Sequence, residues 1–146
     1  MMKTLEILDT LISFETTSNK SNLRLIKFVE EFLSQFGFRV NRLSSPCGTK
    51  AGIYAEIGPE IDGGILLSAH SDVVPTEGQN WSYPPFKLTP IDDRLYGRGT
   101  TDMKGFLASM LALVLMARSA ASACSCRSEI CLSLRVALSC SLCTIS

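Results

Sequence analysis

Apolar residues recur at helical spacing in two stretches near the start of the chain. Over Lys3–Phe14, Leu5, Leu8, Leu11 and Ile12 share one face, which predicts a short amphipathic helix. The Thr16-Thr17-Ser18-Asn19 cluster ends it. A second helix follows, with Ser21 as its N-cap and Leu25, Phe28, Val29, Phe32 and Phe36 as its apolar stripe. Gly37 supplies the left-handed residue that closes such helices. The period then shortens to two. Phe38–Leu43 alternates apolar and polar positions, as a half-buried strand does. Ala51–Ile57 and Gly64–Ala69 read as further strands, joined by the turn signals Gly58-Pro59 and Asp62-Gly63-Gly64. Ile65-Leu66-Leu67 is apolar on both faces, which predicts a central strand covered on both sides. The polar stretch that includes Pro75, Gly78, Pro84, Pro85 and Pro90 has no periodicity, and a loop of that length is usually functional or disordered. Helical spacing returns at Lys104 and runs to about Ala117. Helices alternating with strands around a buried strand predict an α/β sheet.

After Arg118 that order is lost. Residues 118–146 are rich in Ser, Cys, Ala and Leu, and Leu132–Leu138 has a strand-like composition without turn or capping signals. Cys47 stands alone, whereas five of the six cysteines crowd into the last 23 residues. The chain therefore divides into residues 1–117 and an atypical Cys/Ser-rich tail, 118–146, read as the product of a frameshift or misread gene end. With 46% apolar residues it is globular in composition. Lys plus Arg equals Asp plus Glu at 14 each, so no global field attracts nucleic acid or an acidic membrane, and a small-molecule partner is expected. Lys3, Glu6, Asp9 and Glu15 interrupt any signal-peptide core. Gly105–Ala117 is shorter than the roughly 20 residues of a membrane span. A cytoplasmic protein without a disulfide framework is the expectation. The Cys124-x-Cys126 and Cys140-x-x-Cys143 pairs lack the strand-turn context of a structural zinc site.

Candidate chemistry falls in two clusters. His70, the single histidine, ends the strand Gly64–Ala69 in His70-Ser71-Asp72-Val73-Val74-Pro75. Strand ends of open α/β sheets are where ligands gather. In extended chain, His70 and Asp72 point to one side, so a carboxylate can fix the imidazole tautomer as it does for metal-bound histidines. His-x-Asp alone leaves open a strand-end histidine beside a turn-forming Asp. The second cluster is Leu95–Gly105, in which Gly97 and Gly99 bracket Arg98 and Asp102 precedes the apolar helix. Asp102 can cap that helix or face a cleft. Neither a dinucleotide fingerprint nor a phosphate loop is present. An imidazole and a carboxylate together suit zinc or cobalt, and a carboxylate can bridge two ions. Trp81, Pro84, Pro85 and Phe86 read as packing the loop onto the sheet. Arg98 reads as holding its own turn through a nearby carbonyl or carboxylate, with pairing to a substrate carboxylate as the alternative.

The order His70–Pro75, Gly78-Gln79-Asn80-Trp81, Pro85-Phe86 and Leu95–Gly105 resembles the acetylornithine deacetylase and succinyl-diaminopimelate desuccinylase family of metallopeptidase-like enzymes. Phe14–Ser18, Ser21-Asn22-Leu23 and Gly48–Ala51 add to the likeness, which covers residues 1–117. The resemblance implies the N-terminal part of a zinc-peptidase-like α/β catalytic domain, with a mixed sheet flanked by helices. It implies that His70 ligates one metal ion, Asp102 bridges two, and Asp72 orients His70. The ions would be zinc or cobalt. The reaction implied is hydrolysis of an N-acylated amino acid, releasing acetate and ornithine in arginine biosynthesis, in an enzyme that is a homodimer when complete; desuccinylation or peptide hydrolysis is the alternative. The family's paired glutamates, further acidic ligand and second histidine have no counterpart here. After Asp102 the chain has one carboxylate, Glu129, and no histidine. An inactive chain with an open sheet edge is the expectation, and the alternative of another class is a non-catalytic remnant that uses His70 and Asp102 to hold a single, weakly bound metal ion.

Overall fold

In the computed structural model, residues 3–59, 62–123 and 133–140 are described. Helix α1 spans Thr4–Ser13 and α2 spans Leu23–Gln35. In α1 the buried face is Ile7, Leu8, Leu11 and Ile12, while Leu5 is exposed. In α2, Leu25, Ile26, Val29, Phe32 and Leu33 are buried, and Phe28, Phe32 and Phe36 follow one another at ring distances of 6.3 and 5.2 Å. The residue at the cap of α2 is Asn22 rather than Ser21. Its side-chain amide instead pairs with the main chain of Ala51, donating to the carbonyl at 2.8 Å and accepting from the N–H at 3.0 Å. That clamp ties the helix entrance to the sheet. Gly37 takes φ +81°, as the end of the helix requires.

The sheet holds β1 (Arg39–Ser44), β2 (Ala51–Ile57), β3 (Ile65–His70) and β6 (Leu134–Ser139) in the order β1-β2-β6-β3. β2 is antiparallel to both β1 and β6, and β3 runs parallel to β6, so the sheet is mixed. A separate hairpin joins β4 (Thr89–Ile91) to β5 (Arg94–Tyr96), turning at Asp92 with φ +49°. This hairpin lies in and just beyond the stretch read as an aperiodic loop; three-residue strands are too short to show a period. Helix α3, Gly105–Ala123, extends past the expected end at Ala117. Among the described residues no helix is long and apolar enough to cross a membrane.

Two strands stand in unexpected places. β3, read as central, lies at an edge of the described sheet, and Ile65 and Leu66 are exposed. Its apolar run therefore does not mark coverage on both faces. The central position is taken by β6, from the span assigned to the tail, with Leu134, Val136 and Leu138 buried between β2 and β3. Glu129, Cys124, Cys126 and Cys143 lie outside the described residues.

Candidate metal centre

The end of β3 is held from several directions. Ser71 donates its N–H and its hydroxyl to the carbonyl of Ser139, at 2.9 and 3.0 Å. Its own carbonyl accepts from Thr16 Oγ1 at 2.6 Å. The Asn22 amide, already clamped on Ala51, also reaches Ser71 Oγ at 3.0 Å. Val73 then pairs with residues 16–18, donating to the Thr16 carbonyl and accepting from the Ser18 N–H. Ser71 and Asp72 are buried as a result. A buried polar segment is tolerated because its groups are satisfied.

His70 emerges from this frame about a third exposed. Its main-chain N–H points at Met103 Sδ, 3.3 Å away. Nδ1 lies 2.9 Å from the main-chain carbonyl of Asp72, and Nε2 lies 3.0 Å from Asp102 Oδ1. The three residues singled out in the sequence therefore meet. The orienting contact differs from the expected one, however. The Asp72 carboxylate is 3.7 Å from Nδ1, too long for a hydrogen bond, and its Oδ2 accepts from Ser18 Oγ at 3.1 Å. The carbonyl fixes the ring, and the carboxylate fixes the loop that carries the carbonyl.

Asp102 reaches the imidazole from a kinked turn, Thr100–Lys104, in which Asp102 and Met103 leave helical geometry. The turn opens at Gly99 with φ +86°, where a Cβ would stand 2.7 Å from Val73 Cγ1. Only glycine lets the two site loops approach this closely. Asp102 caps no helix; its side chain is 81% exposed and faces the cleft.

Both ring nitrogens of His70 thus face acceptors. A carbonyl cannot donate, so Nδ1 carries the proton. In the neutral ring Nε2 then directs a lone pair at a carboxylate oxygen, an opposition that only a cation between them resolves: a proton or a metal ion. Zinc holds nitrogen and oxygen ligands at about 2.0–2.2 Å, which at the tetrahedral angle places two such ligands roughly 3.3–3.5 Å apart on one ion, a few tenths of an ångström wider than the present contact. The donor pair fits. Among the described residues no group of three or more His, Cys, Asp or Glu side chains converges on one point, so this pair is the extent of the described ligand set.

The cleft encloses about 390 Å³ and is lined by Ser18, His70, Val73, Arg98, Thr101 and Asp102 among others. Lys104, which drew no notice in the sequence, is buried beneath it. Its ammonium donates to the Phe14 carbonyl at 2.7 Å, and burial pushes its pKa down to about 8. No sequence signal marks it, because a lysine at the start of an apolar helix usually reads as solvated. The Arg98 guanidinium donates to the side-chain amide oxygen of Gln79 and lies over the Trp81 ring, while its main-chain N–H donates to the Pro85 carbonyl at 2.6 Å.

Residues 66–124 match the profile of peptidase family M20/M25/M40. The acetylornithine deacetylase of Pasteurella multocida is 39% identical over 106 residues, which cover 72% of this chain and 28% of that protein. The chain is similar to the M20 peptidases over residues 66–124 and to part of the acetylornithine deacetylases. It spans less than a third of the length of the curated relatives it matches. Human carnosine dipeptidase 1 superposes with a TM-score of 0.78 at 23% identity, covering 93% of this chain and 31% of that one. An M20 family metallo-carboxypeptidase, Sso-CP2 from Sulfolobus solfataricus, gives 0.78 at 22% identity, covering 95% and 31%. The fold is that of the M20 metallopeptidase domains.

Proposed function

We propose that this chain carries part of the active site of a metal-dependent amide hydrolase that acts on N-acetylornithine. The observation that carries the reading is the imidazole of His70 set between two acceptors, with the exposed carboxylate of Asp102 at 3.0 Å. The names of the M20 relatives support it: the curated ones are acetylornithine deacetylases, and one solved neighbour is a metallo-carboxypeptidase. His70 Nε2 and Asp102 Oδ1 would hold a zinc or cobalt ion. With two carboxylate oxygens, Asp102 would be the residue to share with a second ion. Bound there, such an ion polarises an amide carbonyl and lowers the pKa of water. The residues of the chain supply orientation: Asp72 locks the ring tautomer through its carbonyl, and Ser18 holds the Asp72 carboxylate. In this reading the products are acetate and ornithine, as in arginine biosynthesis.

Apart from Asp72 and Asp102, no carboxylate lines the cleft, so the described residues include no separate general base. The polypeptide of these 146 residues is therefore expected to bind metal without turnover. Incubation with zinc or cobalt and N-acetylornithine, followed by an ornithine assay, tests this. Metal-dependent release of ornithine would overturn the inactivity, and release without metal would overturn the metal mechanism.

A further inference from the structure

We infer that Lys104 is a positioning residue: its buried ammonium ties the turn that carries Asp102 to the segment that frames His70. The use of that tie in holding a metal ion rests on the reading above; the tie itself does not. Lys104 is fully buried, although lysine is among the residues least often enclosed. Among the described residues its ammonium has one hydrogen-bond partner, the carbonyl of Phe14 at the end of α1, 2.7 Å away. That carbonyl also accepts from the Thr16 N–H at 2.9 Å. Thr16 in turn accepts from the Val73 N–H at 2.9 Å and donates its hydroxyl to the Ser71 carbonyl at 2.6 Å. The bonds therefore run from Lys104 through Phe14 and Thr16 to Ser71 and Val73. These two residues flank Asp72, whose carbonyl lies 2.9 Å from His70 Nδ1.

The other end of the tie is the turn itself. The Lys104 N–H donates to the Gly99 carbonyl at 2.8 Å, which joins the two ends of the turn. The Lys104 stem packs at Gly99, where a Cβ would stand 3.4 Å from its Cδ. Between these points Asp102 and Met103 leave helical geometry. Met103 Sδ gives the turn a second hold, on the His70 N–H at 3.3 Å. Among the described residues the exposed Asp102 carboxylate has the imidazole as its one hydrogen-bond partner. Its direction is therefore set by the main chain of the turn, and Lys104 seats that main chain. Taking an ammonium out of water opposes folding, and an unbranched apolar side chain could fill the same space without that penalty. What lysine adds is a donor at the far end of the stem, and a donor there fixes one segment against another.

His70 is the single histidine of the chain, so its ring nitrogens give an unambiguous nuclear magnetic resonance signal. The full chain, Lys104→Met, Asp102→Ala and the double variant are compared at one pH, first without metal and then in calorimetric titration with zinc. In Lys104→Met the circular dichroism should be unchanged, and the His70 Nε2 signal should move toward its position in Asp102→Ala. Zinc affinity should fall about tenfold, as when a group that orients a ligand is removed. In the Asp102→Ala background the same substitution should change zinc affinity by less than about twofold, because the residue it positions is already gone. An equal loss in both backgrounds would give Lys104 a merely structural role and overturn the inference. So would an unmoved Nε2 signal in a folded Lys104→Met chain. If Lys104→Met does not fold, Lys104→Gln, with its shorter arm, takes its place with the same expected and contradicting results. A native chain that binds no zinc would remove the metal reading, and the Nε2 signal would then decide the tie alone.

Discussion

The two ends of β3 differ sharply. At its start Ile65 and Leu66 are 45% and 57% exposed, and no further described strand covers that edge. At its finish Ala69 is buried, and Ser71 and Asp72 are enclosed by Thr16, Ser18, Asn22 and Ser139. The more apolar end is the more open one. Enclosure follows the hydrogen-bonded neighbours rather than the hydrophobicity of the strand, and it is concentrated where the imidazole must be aimed. The metal-ligand role proposed for His70 needs a fixed direction, and a polar network supplies direction that apolar contact does not.

Changes at the closed end should therefore cost most. Leu138 on β6 pairs in register with Ala69 and is 2% exposed. Leu138→Ala should lower stability by about 2–5 kcal/mol in chemical denaturation. A loss below about 1 kcal/mol would show that β6 does not sit under the site.

Lys104, beneath the closed end, gives a pH signature of intermediate size. Its pKa falls from 10.5 to about 8 on folding. Below pH 8 both states are protonated and the burial cost is fully present. Between about 8 and 10.5 the unfolded chain binds the extra proton, so stability rises with pH and levels off above that range. The gain should be on the order of 3 kcal/mol. In Lys104→Met, denaturation across this range should lose that rise relative to the parent; an identical slope would contradict the buried amine. At the open end, Leu66→Thr should change stability by no more than about 0.5 kcal/mol. A larger loss would mean that the edge is covered.

The contrast also explains what the sequence could and could not disclose. α1, α2 and β2 were legible because each carries its own period, with β2 found at Ala51–Ile57 as read. His70 and Asp102 were legible as types suited to metal, and the ordered motifs raised that reading to a family. The place of β3 was not legible, because three consecutive apolar residues state a preference for burial and not which neighbours supply it. β6 was hidden for the opposite reason: Leu134, Val136 and Leu138 alternate correctly, but the surrounding Ser and Cys offer no boundaries. The orienting role of the Asp72 carbonyl was invisible as well, since main-chain atoms leave no trace in residue identity.

Everything in the functional reading depends on one cation shared by His70 and Asp102. The direct measurement is calorimetric titration of the full chain with zinc, alongside His70→Ala and Asp102→Ala. The account predicts one saturable binding event that is lost in His70→Ala and weakened at least roughly tenfold in Asp102→Ala, with both variants folded. Unchanged zinc affinity in His70→Ala would contradict it.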